Sequence, residues 1–195
     1  MKISKIAKLC KEEKWICTID TEAGVWIGNG YCVYLLPEFK YLEQDGIALA
    51  FGISAKDKSK IFFHKVPLTI LCLEDFDESE TICEQMDFSF STNKGTVQAY
   101  KTQEGVLFLR TDMLAPLRDE IENVEIYLRH TTENKPYFAA KIGMQIYAIF
   151  LPEKIINQNF IEHLEEFNAL CRMKFQNDCA EQKQDYEQAR LEGVS

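Results

Sequence analysis

The sequence predicts an α+β protein in which a helix followed by three antiparallel strands occurs twice. Three observations predict this fold: an amphipathic start followed by strand-like segments, the same order again from residue 111, and helical periodicity after residue 153. Of the 195 residues, 46% are hydrophobic and 12% aromatic, as is typical of a globular protein with a substantial core. We therefore predict one domain over residues 1–173, with half-units at 1–73 and 88–153, and a polar tail at 174–195.

The first helix is basic although the chain has a formal net charge of −9. Lysine recurs there at every third position, as Lys2, Lys5, Lys8, Lys11 and Lys14. At about 100° per residue, three of these lysines share a face with Glu12, and the opposite face is apolar. Two interpretations are open. The lysines either form an ordinary solvated face, partly balanced by Glu12 and Glu13, or they contact phosphate groups.

Three strands follow the first helix, at residues 15–20, 25–27 and 31–36. Two turn signals separate them, Thr21-Glu22-Ala23-Gly24 and Gly28-Asn29-Gly30. Pro37 ends the third strand. The segment 28–30 joins two strands and does not open a helix, so we interpret it as a turn and not as a phosphate-binding loop.

The same order returns near the end of the chain. Thr111 or Asp112 is expected to cap a helix that runs to Glu122, and strands are expected at 124–131, 137–142 and 145–151. The last strand ends in Phe150-Leu151-Pro152-Glu153 and the early one in Leu35-Leu36-Pro37-Glu38. This alignment places Gly28 opposite Gly143, so we predict two related halves.

The middle and the end of the chain complete the prediction. Strands are expected at 60–66 and 68–73, then a three-stranded meander at 88–91, 96–102 and 106–110. Between them, residues 74–87 carry seven carboxylates and no basic residue, which indicates a solvated connection. A long helix after residue 153 has an apolar face that the core or a second subunit must cover, formed by Phe160, Leu164, Phe167 and Cys171.

No motif in the sequence indicates catalysis or metal binding. The three histidines lack zinc-site spacing, and the seven cysteines form no Cys-x-x-Cys pair, which is typical of reduced thiols. We therefore predict a cytoplasmic protein with no enzymatic activity, no cofactor, no metal and no membrane segment. Four aromatic residues are expected either to stack on nucleic-acid bases or to pack beneath a helix: Trp15, Trp26, Tyr31 and Tyr34.

Residues 105–154 carry a resemblance to a known family. The motifs are Val106-Leu107-Phe108-Leu109-Arg110-Thr111-Asp112-Met113-Leu114-Ala115-Pro116-Leu117-Arg118 and Tyr147-Ala148-Ile149-Phe150-Leu151-Pro152. This stretch resembles the repeating half-domain of DNA polymerase sliding clamps, and residues 2–38 look like a second copy. In that family a strand leads into a helix with a leucine pair, and three antiparallel strands follow. The resemblance thus implies a clamp-like architecture.

The clamp resemblance also implies a function. The family places such helices on the DNA-facing wall of a ring, so Lys5, Lys8, Lys11 and Lys14 would face phosphates. Our leading hypothesis is a non-catalytic DNA-binding or replication-accessory protein, with DNA and replication proteins as partners. The alternative is a protein-interaction or assembly module, such as one from a mobile element, that self-associates through its C-terminal helix.

Overall fold

A computed structural model describes residues 1–39, 41–67 and 70–192, with side chains described as far as residue 180. The chain divides into two compact units, Met1–Glu153 and Lys154–Ser195. The first unit mixes helices with two β-sheets, so the α+β class predicted from the sequence is confirmed. The boundary at Glu153 differs from our predicted one at residue 173, because the last helix starts at Gln158 and runs through residue 173 without a break.

The predicted helix and three strands are present at the start of the chain. They are α1 (Ile3–Glu13), β1 (Trp15–Thr21), β2 (Gly24–Gly28) and β3 (Cys32–Leu36). Two short helices and one strand follow: α2 (Gln44–Ala50), α3 (Ala55–Lys58) and β4 (Phe62–Lys65). Residues 70–73 form no strand, contrary to prediction, and residues 68 and 69 lie outside the described residues.

The remaining strands also follow the predicted order. After β5 (Thr81–Ile82), the expected meander is formed by β6 (Glu84–Thr92), β7 (Gly95–Thr102) and β8 (Gly105–Arg110). The 3-10 helix η1 (Thr111–Asn123) leads into β9 (Val124–His130), β10 (Pro136–Ile142) and β11 (Gln145–Phe150). The chain continues into the long helix α4 (Gln158–Glu192).

The two predicted halves share one eight-stranded sheet, in the order β4-β1-β2-β3-β11-β10-β9-β5. The halves meet where β3 and β11 run antiparallel, through the pairs Cys32–Phe150, Val33–Ile149 and Tyr34–Ala148. The sequence alignment that places Gly28 opposite Gly143 also equates residue 33 with 148 and residue 34 with 149. The proposed repeat therefore maps the pair Val33–Ile149 onto the pair Tyr34–Ala148, and the reverse.

Both faces of this sheet are covered. On one face, α1 and η1 pack over a core that includes Ile27, Tyr34, Phe138 and Phe150. On the other face, part of the chain between β4 and β5 packs over Trp26, Val33 and Tyr137, through Val66, Leu71 and Leu73. The strands at the centre of the sheet are buried on both faces, which explains their nearly continuous apolar sequence.

The helix of the second half differs from the prediction in two details. It has 3-10 geometry, with Pro116 in its middle. Neither predicted cap forms: Asp112 instead accepts two hydrogen bonds from the Arg110 guanidinium, at 3.1 and 2.6 Å. An ion pair with a neighbouring arginine has taken the place of the expected helix cap.

Candidate nucleic-acid interface

The α1 helix has the amphipathic orientation that its sequence indicates. Its apolar residues Ile6, Ala7, Leu9 and Cys10 are buried against the sheet. The four lysines proposed to contact DNA are all exposed: Lys5, Lys8, Lys11 and Lys14. Lys14 ends the helix in a left-handed conformation with φ of 53°, and its amide donates to the carbonyl groups of Cys10 and Lys11.

Two adjoining cavities run along the exposed side of α1. The larger, of about 730 Å³, includes Lys8, Lys11 and Glu12 in its lining, and the smaller, of about 200 Å³, includes Lys11, Lys14, Asp57 and Lys60. Both also contain Gly52, so the cavities meet beside Lys11. We call this region the α1 groove. Lys5 does not belong to the lining of either cavity.

The α1 groove has more positive than negative side chains. Lys8 is 3.6 Å from Glu12, and Lys60 is 3.4 Å from Asp57, so both carboxylates of the groove lie near a lysine. A hydrogen bond from Ser54, followed by the one from Lys60, lowers the pKa of Asp57. Lys11 donates to the Gly52 carbonyl at 3.3 Å. With four lysines and two carboxylates, the α1 groove favours an anionic ligand.

Strand β4 brings Lys60 into the α1 groove. It pairs with β1 in parallel, and the Phe62 amide donates to the Lys14 carbonyl at 2.9 Å. The preceding helix α3 is held by its cap, because the Ser54 hydroxyl accepts a hydrogen bond from the Asp57 amide at 3.1 Å. Sequence analysis did not select Lys60, because nothing in the local pattern indicates that this strand lies beside β1.

The other helix on the same face of the sheet has the opposite charge. Exposed carboxylates predominate on η1, and Lys2 at the start of α1 contacts it through an ion pair with Asp119 at 2.7 Å. The Lys2 amide also donates to the Pro116 carbonyl at 2.8 Å. The positive surface is therefore confined to the α1 side of the helix layer. An anionic ligand would contact one half of the protein and not both.

The four candidate aromatic residues divide into two pairs. Trp26 and Tyr34 are buried in the core, so the base-stacking interpretation is wrong for them. Trp15 and Tyr31 are 44% and 41% exposed. The Trp15 ring contacts Phe62 edge to face, with ring centroids 5.5 Å apart. Trp15 follows Lys14 directly in the chain, so an exposed aromatic side chain lies next to the last lysine of the series.

A buried charge cluster was missed by the sequence analysis. The Arg129 side chain is fully buried and binds Glu80, while the Lys141 ammonium lies 2.7 Å from the other Glu80 oxygen. Arg129 also donates to the backbone carbonyls of residues 72, 74 and 75. The acidic connection at 74–87 is thus anchored to the sheet and is not simply solvated. No local sequence pattern indicates this anchoring, because Glu80 is 49 positions from Arg129 and 61 from Lys141.

Groups that could ligate a metal ion do not cluster among the described residues, and four of the seven thiols are buried. Within residues 1–39, 41–67 and 70–180, no three His, Cys, Asp or Glu side chains form a group that could hold a metal ion. All seven cysteines are free thiols. Burial raises the pKa of Cys32 to about 12 and that of Cys83 to about 11, so these thiols stay protonated at neutral pH.

Comparisons with known protein families, curated proteins and solved structures gave no match. No described helix is long and apolar enough to cross a membrane. The α1 groove is therefore interpreted from its own geometry and charge.

Proposed function

We propose that this protein is a non-catalytic DNA-binding or replication-accessory protein that contacts the phosphate backbone through the α1 groove. One observation carries the proposal: Lys8, Lys11, Lys14 and Lys60 line adjoining cavities that contain only two carboxylates. Lysine contacts to phosphates supply most of the affinity in binding that is independent of sequence. Little base specificity is therefore expected.

The arrangement of the two halves supports a clamp-like fold as part of this proposal. Each half places a helix on the same face of the shared sheet, and the halves join through β3 and β11. Sliding clamps use helices on a DNA-facing wall, as the sequence resemblance implies. The proposal also includes a cytoplasmic location and replication proteins as further partners, and the free thiols support a reducing compartment.

The test is the salt dependence of DNA binding by the full chain. Fluorescence anisotropy with a labelled duplex should give a linear plot of log K against log salt, with a slope of about −0.9 for each phosphate neutralised. The variant K11Q/K14Q/K60Q should bind more weakly and lose up to about three units of slope, because three phosphate contacts are removed. K5Q should change the slope little, since Lys5 lies outside the cavity linings.

A matched control removes the same charge elsewhere. Lys94, Lys101 and Lys135 are exposed lysines on turns or strands distant in sequence from α1. The variant K94Q/K101Q/K135Q should keep the slope of the natural protein. Equal losses in the two triple variants would show that exposed lysines contribute wherever they lie and that the α1 groove is not the binding site. Absence of salt-sensitive binding at low ionic strength would exclude the DNA proposal.

A second candidate function is supported by α4. In a single chain, Phe167 and Phe175 of this helix are 63% and 69% exposed. Exposed phenylalanines in a regular row are costly in water and usually mark an interaction surface. We therefore retain, as the alternative proposal, an assembly module of the kind that a mobile element encodes, which self-associates through α4.

A further inference from the structure

We infer that α4 pairs with α4 of a second copy in an antiparallel arrangement; this inference rests on the second candidate function. Leu164, Phe167, Cys171 and Phe175 lie within an arc of about 80° when the helix is projected at 100° per residue. We call these four residues the α4 stripe. All four are exposed in the single chain. A helix with a narrow apolar row of this kind is stabilised by burying that row against another helix.

Charge along α4 indicates that the occupant of the stripe is a second copy of the same helix. Within residues 158–180 of α4, the part before residue 170 carries Glu162, Glu165 and Glu166 and contains no lysine or arginine. Residues 170–180 carry Arg172, Lys174 and Asp178, and Asp178 forms an ion pair with Lys174. An antiparallel pair centred on the α4 stripe places Glu165 and Glu166 of each helix beside residues 172–174 of its partner, which include Arg172 and Lys174. A parallel pair would bring three glutamates beside three glutamates.

The first experiment measures the oligomeric state of the full chain by sedimentation. The natural protein should be a dimer, and F167E should raise the dimer dissociation constant at least about 100-fold, because it would bury a carboxylate in an apolar interface. M173E is the matched control. Met173 is apolar and 58% exposed but lies on the opposite side of α4, so M173E should dimerise like the natural protein. Circular dichroism verifies that both variants stay folded.

The second experiment measures the orientation of the two helices. Nitroxide labels are attached at Cys179 in the variant C72A/C171V, in which valine keeps the α4 stripe apolar and the remaining cysteines 10, 17, 32 and 83 are buried. Residue 179 lies about ten positions beyond the centre of the α4 stripe. At 1.5 Å per residue, antiparallel helices should therefore separate the two labels by about 30 Å. Parallel helices would bring them to about the interhelical distance of 10 Å.

The outcomes separate the two levels of the inference. If the natural protein were still a monomer at a concentration 100-fold above that of the labelled sample, self-association would be excluded. The second candidate function would be excluded with it. Equal loss of the dimer in F167E and M173E would exclude the α4 stripe as the interface. A dimer that depends on Phe167 but gives a label distance of about 10 Å would leave self-association standing and overturn the antiparallel arrangement.

Discussion

At the scale of single residues, Arg129 is a fully buried charge that binds several acceptors. Its guanidinium binds the Glu80 carboxylate and donates to three backbone carbonyls of the connection that covers one face of the sheet. Without the guanidinium, the carbonyls of Glu74 and Asp75 would lose this donor, whereas the Cys72 carbonyl would keep the Tyr137 hydroxyl at 3.3 Å. Glu80 would keep only Lys141 as a charged partner.

Replacing Arg129 by methionine is therefore expected to lower the free energy of unfolding by about 3–5 kcal/mol, the usual cost of breaking a buried ion pair. Urea denaturation of the purified protein measures this change. The control is K101M, which removes an exposed partner of Glu84 at 3.3 Å and should cost less than about 1 kcal/mol. A loss of similar size in both variants would show that Arg129 contributes no more to the free energy of unfolding than an exposed lysine does.

At the scale of secondary-structure elements, the two glycines that the repeat equates have different physical roles. A Cβ atom on Gly28 would lie 1.7 Å from the Cys32 carbonyl oxygen, so this position needs the absence of a side chain. Gly143 has a φ of +61° and no atom within 4 Å of such a Cβ, so this position needs a left-handed backbone. The shared glycine reflects different constraints in the two halves.

Substitution at these two positions should separate the constraints. G28A is expected to cost about 3 kcal/mol or more, because the obstructing atoms belong to the backbone. G143A should cost about 1–2 kcal/mol, and G143N less, since asparagine tolerates the left-handed region. Thermal unfolding of the three variants measures these differences. The assignment of roles would be incorrect if G28A were as stable as G143N.

Local patterns in the sequence were sufficient for most elements. The spacing of apolar residues predicted α1 and α4, and turn residues predicted the meander and both three-stranded segments. The sequence did not indicate that β4 pairs with β1 in parallel, because parallel pairing joins distant segments and leaves no local signature. Lys60 was missed for that reason, whereas Lys8 and Lys11 followed from helical periodicity and Lys14 from the clamp resemblance. Arg129 was missed because a buried arginine has no periodic pattern.

At the scale of the whole molecule, the boundary at Glu153 changes the expected result of truncation. If the core covered the apolar face of α4, which is one of the two alternatives that the sequence left open, removal of everything after residue 152 would destabilise the protein. In the structure, every described side chain of α4 is at least partly exposed, and the first compact unit extends through Glu153. Glu153 itself matters to that unit, because its amide donates to the Phe108 carbonyl at 2.8 Å.

A chain that ends after residue 154 should therefore fold as a monomer, with a melting temperature within about 3 °C of that of the full chain. A chain that ends after residue 151 should melt lower, since it lacks the hydrogen bond from Glu153. Calorimetry and sedimentation measure both quantities. Aggregation of the longer truncated chain would mean that α4 stabilises the first unit.

The junction between β3 and β11 also has a consequence for folding in the cell. Tyr34 and Ala148 pair although they are 114 positions apart, the difference of their residue numbers. At about 5–20 residues per second, a ribosome needs roughly 6–23 seconds to synthesise the intervening chain. During that time β3 has an unpaired apolar edge, which is the kind of surface that recruits chaperones or causes aggregation. High contact order of this kind slows folding, so the rate of translation and the supply of chaperones should govern the yield of the protein.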